Sequence, residues 1–120
     1  MITFIWYPKC STCKKAKEWL EEHHITYVER HIVENPPTYE ELSLWYQNNI
    51  YELKRFFNTS GNLYKEMNLK DKLSRMTEEE KLKLLSTSGM LVRRPLVIAE
   101  QGILIGFKEK EWDEFFLDKK

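Results

Sequence analysis

The sequence predicts an α/β protein: a four-stranded mixed sheet with helices packed on it. Three observations carry this reading. A β-branched and aromatic run opens the chain and leads into a helical pattern and a second strand-like segment. A long series of short helical patterns follows. The tail then changes period to two strand-like runs and a closing helix, so the order is β-α-β, a helical middle, then β-β-α.

Each element has a local cause. Ile2-Thr3-Phe4-Ile5-Trp6-Tyr7 ends at Pro8 and reads as a strand buried on both faces. From Ser11 to His23 there is no Gly or Pro, and Ala16, Trp19, Leu20 and His23 recur at helical spacing, which predicts an amphipathic helix beginning at or just after Cys10. Ile25 to Ile32 alternates apolar and polar residues and reads as a second strand. Pro36-Pro37 breaks the chain, and Thr38 before Glu40 and Glu41 is an N-cap with acids in the first turn. One helical pattern carries Leu42, Trp45 and Tyr46, another spans about Tyr51 to Phe57, and a third covers Leu63 to Leu69. Thr77 with Glu80 has the capping-box form and opens a helix running through Leu85 that stops at Gly89. Leu96-Val97-Ile98, a Gln101-Gly102 turn and Ile103-Leu104-Ile105 make a hairpin. Glu111 to Leu117 closes as a helix with Trp112, Phe115 and Phe116 apolar.

With 120 residues the chain is one domain large enough for a core, and 42% hydrophobic with 32% charged residues argues against disorder. Lys and Arg (19) balance Asp and Glu (19), so no general electrostatic attraction to nucleic acid or an anionic membrane is expected. No apolar run reaches membrane-spanning length, and the opening MITFIWYPKC has neither a basic leader nor a small-residue cleavage site. A cytoplasmic protein acting as a monomer is the expectation. In that compartment two cysteines three positions apart point to chemistry rather than to a structural staple.

Cys10-Ser11-Thr12-Cys13 falls where the first strand turns into the first helix. A thiol there faces free backbone N–H groups and the positive end of the helix dipole. Lys9, Lys14, Lys15 and Lys17 lie close by, and residues 1–17 carry +4 while the remainder carries −4. Such surroundings favour a thiolate at Cys10, and Cys13, one turn on, is placed to resolve a mixed species as a disulfide. Two other readings compete. Zinc would need His23, His24 or His31, which lie at the far end of the helix or beyond. Two inert core cysteines are the second.

Arg93-Arg94-Pro95 directly precedes the hairpin. Proline there has a structural role at a strand start, and two adjacent arginines point in opposite directions. Whichever faces the thiol can hold an oxyanion and stabilise a thiolate. Phe57-Asn58-Thr59-Ser60-Gly61 reads as a polar turn.

Taken together, YPKCSTCKKAKEWLEEH, PPTYEEL, FNTSGNLYKEMNLKDKL and LVRRPL followed by GF resemble the ArsC/Spx family across essentially the whole chain. The resemblance implies a thioredoxin-like fold, with about residues 1–35 and 90–120 as its core and about 37–89 as a helical insertion. It implies Cys10 as the catalytic thiol, Arg94 beside it and a cis peptide before Pro95. Lys9, Ser11, Thr12, Asn58, Arg93 and Pro95 are then the candidate substrate-binding residues. No bound cofactor is implied; glutathione, or a thioredoxin or glutaredoxin, is the expected electron donor, and a small oxyanion or a disulfide the substrate. Of three arginines that assist arsenate chemistry in the family, one is matched, by Arg94; Asn58 and Phe107 stand at the other two positions, which weakens an oxyanion site. The Spx branch uses a Cys-x-x-Cys switch and binds RNA polymerase. Here Glu52 stands where that contact needs glycine, and no basic extension is expected after the last helix, both of which disfavour a polymerase partner.

Overall fold

The computed structural model describes residues 1–48 and 51–117. The expectation about a basic extension concerns the tail beyond Leu117 and lies outside them. The chain divides into two compact units, one of Met1–His31 with Arg94–Lys120, the other of Ile32–Arg93.

The first unit is built on a four-stranded sheet. Strand β1 is Thr3–Trp6, helix α1 Ser11–Glu22 and strand β2 Val28–His31. Strands β3 (Leu96–Ala99) and β4 (Gly102–Ile105) form the hairpin. The strand order is β2-β1-β3-β4, with β1 parallel to β2 and antiparallel to β3. This is the mixed α/β sheet predicted from the sequence, in the thioredoxin-like arrangement. Strand alternation explains why β1 is apolar at both of its central positions: Phe4, Val97 and Leu104 share one face by register, and Ile5, Leu96 and Ile105 share the other. All six are buried. The first face packs with Ala16, Trp19 and Leu20 of α1 and with Trp112, which belongs to the closing helix Glu109–Phe116.

Two details of this unit differ from the sequence reading. The strand expected over Ile25 to Ile32 is only Val28–His31, an edge strand whose residues are exposed or half-buried, Val28 48% exposed; Ile25 and Tyr27 pack against the core ahead of it, and Ile32 is buried beyond it. The hairpin pairs Ala99 with Gly102, so Glu100-Gln101 form the loop and Gly102 already opens β4. Its φ of 145° is a conformation that side-chain-bearing residues rarely adopt, which explains glycine there.

The second unit is helical. α2 is Tyr39–Gln47, α3 Asn62–Glu66, α4 Leu69–Lys72 and α5 Glu78–Leu85; the closing helix of the first unit is then α6. Short 3-10 turns at Leu53–Phe56, Leu73–Arg75 and Gly89–Leu91 link them. Thr38 with Glu41 and Thr77 with Glu80 both form complete capping boxes, each hydroxyl accepting from the N3 backbone and each carboxylate from the cap N–H. Tyr46 donates to Glu78 at 2.6 Å, joining α2 to α5.

The single helix expected over Leu63 to Leu69 is broken. Asn68 takes a left-handed conformation, φ 54°, which Asn tolerates better than most residues, and α4 starts anew after it. The segment expected as a helix near Tyr51 to Phe57 is one 3-10 turn. α5 ends at Leu85 with Ser86 as its cap, so Gly89 is not the helix stop. Its reason is space: a Cβ there would meet the Ile32 carbonyl oxygen at 2.0 Å.

Gly89→Ala is therefore expected to destabilise the protein by about 1–3 kcal/mol through overpacking against a backbone atom that has nowhere to go. Thr77→Ala should cost about 1 kcal/mol through the lost cap. Urea unfolding at unchanged m-value measures both.

Candidate functional site

The turn after β1 sets the cysteines. The Cys10 N–H donates to the Tyr7 carbonyl at 3.0 Å, closing Tyr7-Pro8-Lys9-Cys10, and the Lys14 N–H donates to the Cys10 carbonyl at 3.1 Å, starting α1. Cys10 thus occupies the N-cap with extended backbone, φ −97° and ψ 119°, while Cys13 sits one turn inside. Helical spacing puts Cys13 on the buried stripe with Ala16 and Leu20, and it is fully buried. Cys10 is half-buried, and both thiols are free. Lys9, Ser11 and Thr12 are exposed around it.

Arg94 comes to the same place from β3. The antiparallel pairing of β1 with β3 brings the end of one beside the start of the other. The Arg94-Pro95 peptide is cis, and Pro95 is buried, its carbonyl accepting from Gly106 N–H at 2.8 Å. The guanidinium carbon stands 5.0 Å from the Tyr7 ring centroid, and Nε and Nη1 are buried without a hydrogen-bond partner.

These neighbours split the two thiols electrostatically. At Cys10 burial opposes the charged form, yet it is outweighed. No close capping bond of the Ser or Thr kind is made by Sγ, but the Cys13 N–H and thiol face it, and Arg94 adds both charge and a hydrogen bond, so the Cys10 pKa falls below the ordinary value. Cys13 is pushed up to about 12, chiefly by burial and further by the hydrogen bond and negative charge of Cys10. A backbone hydrogen bond with Tyr7 and the charge of Arg94 act the other way at Cys13 without offsetting this.

The lysines contribute differently from the sequence expectation. Lys17 is turned to Glu29 at 2.8 Å and lies over Trp6, 4.6 Å from the ring centroid. Lys14 and Lys15 are exposed on α1. Charge at Cys10 is answered by Arg94 instead.

Of the paired arginines, Arg94 meets the thiol. Arg93 belongs to the second unit, where its Nε donates to the Arg55 carbonyl at 3.0 Å and its Nη2 to Thr59 Oγ1 at 3.3 Å. Its backbone N–H donates to Phe56 O, and the Asn58 N–H to Leu91 O, so 56–58 and 91–93 run as a short antiparallel bridge. Asn58 is half-buried in this unit, beside Gly61. Phe107 is partly buried and packs edge-on against Trp112 of the sheet core, 4.9 Å between centroids. Glu52 is exposed, with an ordinary extended backbone. Of the histidines weighed as zinc ligands, His23 stacks on Trp19 and its Nδ1 hydrogen-bonds the Trp19 carbonyl; His31 stands edge-on to Tyr7. Among the described residues no group of three or more His, Cys, Asp or Glu is placed to hold a metal ion, and no helix is long and apolar enough to cross a membrane. Tyr7 is the neighbour that the sequence reading missed. Nothing in the sequence signals it, because its partner lies 87 positions away.

A mixed sheet of this order, with a cysteine pair at the mouth of its first helix, defines a protein with a thiol-oxidoreductase-like fold. The chain belongs to the ArsC family, whose model matches residues 5–115. It is 52% identical over 113 residues to YusI of Bacillus subtilis, covering 94% of this chain and 96% of that protein. It is 31% identical over 115 residues to the global transcriptional regulator Spx 1 of Bacillus cereus, covering 96% and 86%. Among solved structures, an ArsC family related protein from Bacteroides fragilis is 52% identical with a TM-score of 0.92, covering 94% of this chain and 95% of that one. A possible arsenate reductase from Streptococcus mutans is 42% identical with a TM-score of 0.86, covering 94% and 98%.

The raised Cys13 pKa has a consequence for stability. Folding retains the Cys13 proton that the unfolded chain releases near the ordinary thiol value, so this contribution is fully present below that value and is lost as pH rises toward about 12. Denaturant midpoints of the reduced protein are expected to fall across this alkaline window, and Cys13→Ala should flatten the fall. An unchanged slope in that variant would refute the assignment.

Proposed function

We propose that the protein is a cytoplasmic thiol oxidoreductase of arsenate-reductase type, with Cys10 as nucleophile and Cys13 as resolving thiol, its two units serving as one ArsC-type domain. The observation that carries this reading is the Arg94–Cys10–Cys13 cluster at the start of α1, where the outer thiol is held toward its charged form and the inner one toward its neutral form. Lys9, Ser11, Thr12 and Pro95 are the candidates for substrate contact in the first unit, and Asn58 and Arg93 are candidates on the resemblance alone.

A disulfide substrate suits the cluster best. The Cys10 thiolate attacks one sulfur, a mixed disulfide forms, and the other sulfur leaves as a thiolate. Cys10 is then uncharged, which removes the hydrogen bond and charge that help to raise Cys13; burial alone still opposes its ionisation. Cys13 loses its proton, attacks Cys10 Sγ and expels the second thiolate, leaving the Cys10–Cys13 disulfide. Glutathione or a thioredoxin- or glutaredoxin-like dithiol returns the two electrons. A small oxyanion such as arsenate would draw on the same thiolate and Arg94, without the two further arginines that the family's reductases bring.

Kinship with the Spx 1 regulator favours a second reading, a redox-sensing adaptor that binds RNA polymerase in one state of the cysteine pair. Exposed Glu52 works against it, since a charged side chain stands where close backbone approach is needed.

The two readings separate in one set of assays. Reduced protein is expected to turn over a glutathione-type mixed disulfide with a glutathione or thioredoxin system. Cys10→Ser should abolish turnover, and Cys13→Ser should accumulate a mixed disulfide visible as added mass on Cys10. No turnover, together with polymerase capture that depends on the disulfide, would overturn the order of the readings.

A further inference from the structure

The Arg94 guanidinium does its work at Cys10, yet Nε and Nη1 find no acceptor. Something else must fix a long, flexible side chain, because an arginine free to rotate would spread its charge over many positions. Two rings are placed to do this. The register Thr3↔Ile98, Phe4↔Val97, Ile5↔Leu96, carried on past the end of β1, sets Tyr7 across from Arg94. The guanidinium lies over the Tyr7 ring at 5.0 Å, inside cation–π range. His31, at the end of β2, stands edge-on to the same ring, 5.7 Å away at 86°. Tyr7 is also the residue whose carbonyl takes the Cys10 N–H, so one residue anchors the thiol's backbone and its counter-charge.

We propose that Tyr7 is a positioning residue whose ring holds the Arg94 guanidinium against Cys10 Sγ, with His31 packed at right angles to that ring. This rests on the reading that Cys10 is the reacting thiol. The choice of an aromatic support has a physical logic. A carboxylate would hold Arg94 more firmly, but it would also cancel the positive charge the thiolate needs. A ring quadrupole attracts the cation and leaves its full charge available.

The test is the pH profile of Cys10 alkylation by iodoacetamide in the reduced protein, run in a Cys13→Ala background so that one thiol reports. Tyr7→Phe keeps the ring and should leave the midpoint unchanged. Tyr7→Leu should raise it by about half a pH unit. Pentafluorophenylalanine at position 7 keeps the shape and reverses the quadrupole, and it should raise the midpoint as Leu does, which a merely structural role would not. Where Tyr7→Leu fails to fold, the two aromatic replacements decide alone. In an Arg94→Gln background all of these differences should vanish. Equal midpoints for Phe and its fluorinated form, or differences that survive Arg94→Gln, would overturn the proposal. If Arg94→Gln moves the midpoint while no change at position 7 does, the Tyr7 inference fails and the Cys10–Arg94 reading stands. If Arg94→Gln itself moves nothing, both fall.

Discussion

The antiparallel pairing of β1 with β3 is the constraint on which the site depends. β1 ends in the turn that delivers Cys10 to the mouth of α1, and β3 begins directly after Arg94 and Pro95. Because the strands run in opposite directions, Cys10 and Arg94, 84 positions apart in sequence, arrive side by side. A parallel pairing would have put them at opposite ends of the sheet. The six residues of β1, β3 and β4 that share its two faces are buried, so a register slip would expose apolar surface, and the alignment of Arg94 with the thiol inherits that penalty.

On this frame the two cysteines, chemically identical, are made different by a single helical turn. Cys10 is partly exposed, with the Cys13 N–H and thiol in front of it and one guanidinium beside it. Cys13 has the core around it and the Cys10 charge next to it. Burial disfavours charge at both, so the difference comes from what each has to offset it. The hydrogen bond between them acts on both, lowering the outer thiol and raising the inner. The asymmetry belongs to the pair and would diminish at either position if the other were lost.

The sequence made the periodic and capped elements legible. β1 was readable from a β-branched and aromatic run, α1 from Ala16, Trp19, Leu20 and His23 at helical spacing, α2 from Thr38 ahead of Glu40 and Glu41, and α5 from Thr77 with Glu80 three residues on. The breaks were harder. Asn68 interrupts a continuous helical pattern through one backbone conformation that no periodicity records, and Gly89 is dictated by the carbonyl of a residue 57 positions earlier. At the site, the cysteine pair was visible because its members are neighbours. The choice between Arg93 and Arg94 was not, since alternation says only that they diverge, and long-range pairing decides which meets the thiol. The same reason hid Tyr7. Lysine counting gave a positive neighbourhood at the N-terminus, but exposed ammonium groups are screened within about 10 Å by salt, and Lys17 is already turned to Glu29. A half-buried guanidinium with two unpartnered nitrogens outweighs them.

That distribution of charge bears on what the thiolate can accept. An oxyanion arrives with its charge and must be neutralised before bond making starts, and a single guanidinium must serve both it and the thiolate. A disulfide arrives neutral. In the exchange proposed above, the negative charge begins on Cys10 and ends on the departing sulfur, and one arginine, held by a ring that takes none of its charge, can follow that transfer. At the position where the resemblance implies a further arginine, Phe107 is partly buried and packed edge-on against Trp112, so its ring serves the flank of the sheet core and brings no charge. In the exchange proposed above, the side chain that packs against Trp112 and the missing second guanidinium are the same residue, which is why a neutral disulfide suits this site better than an oxyanion.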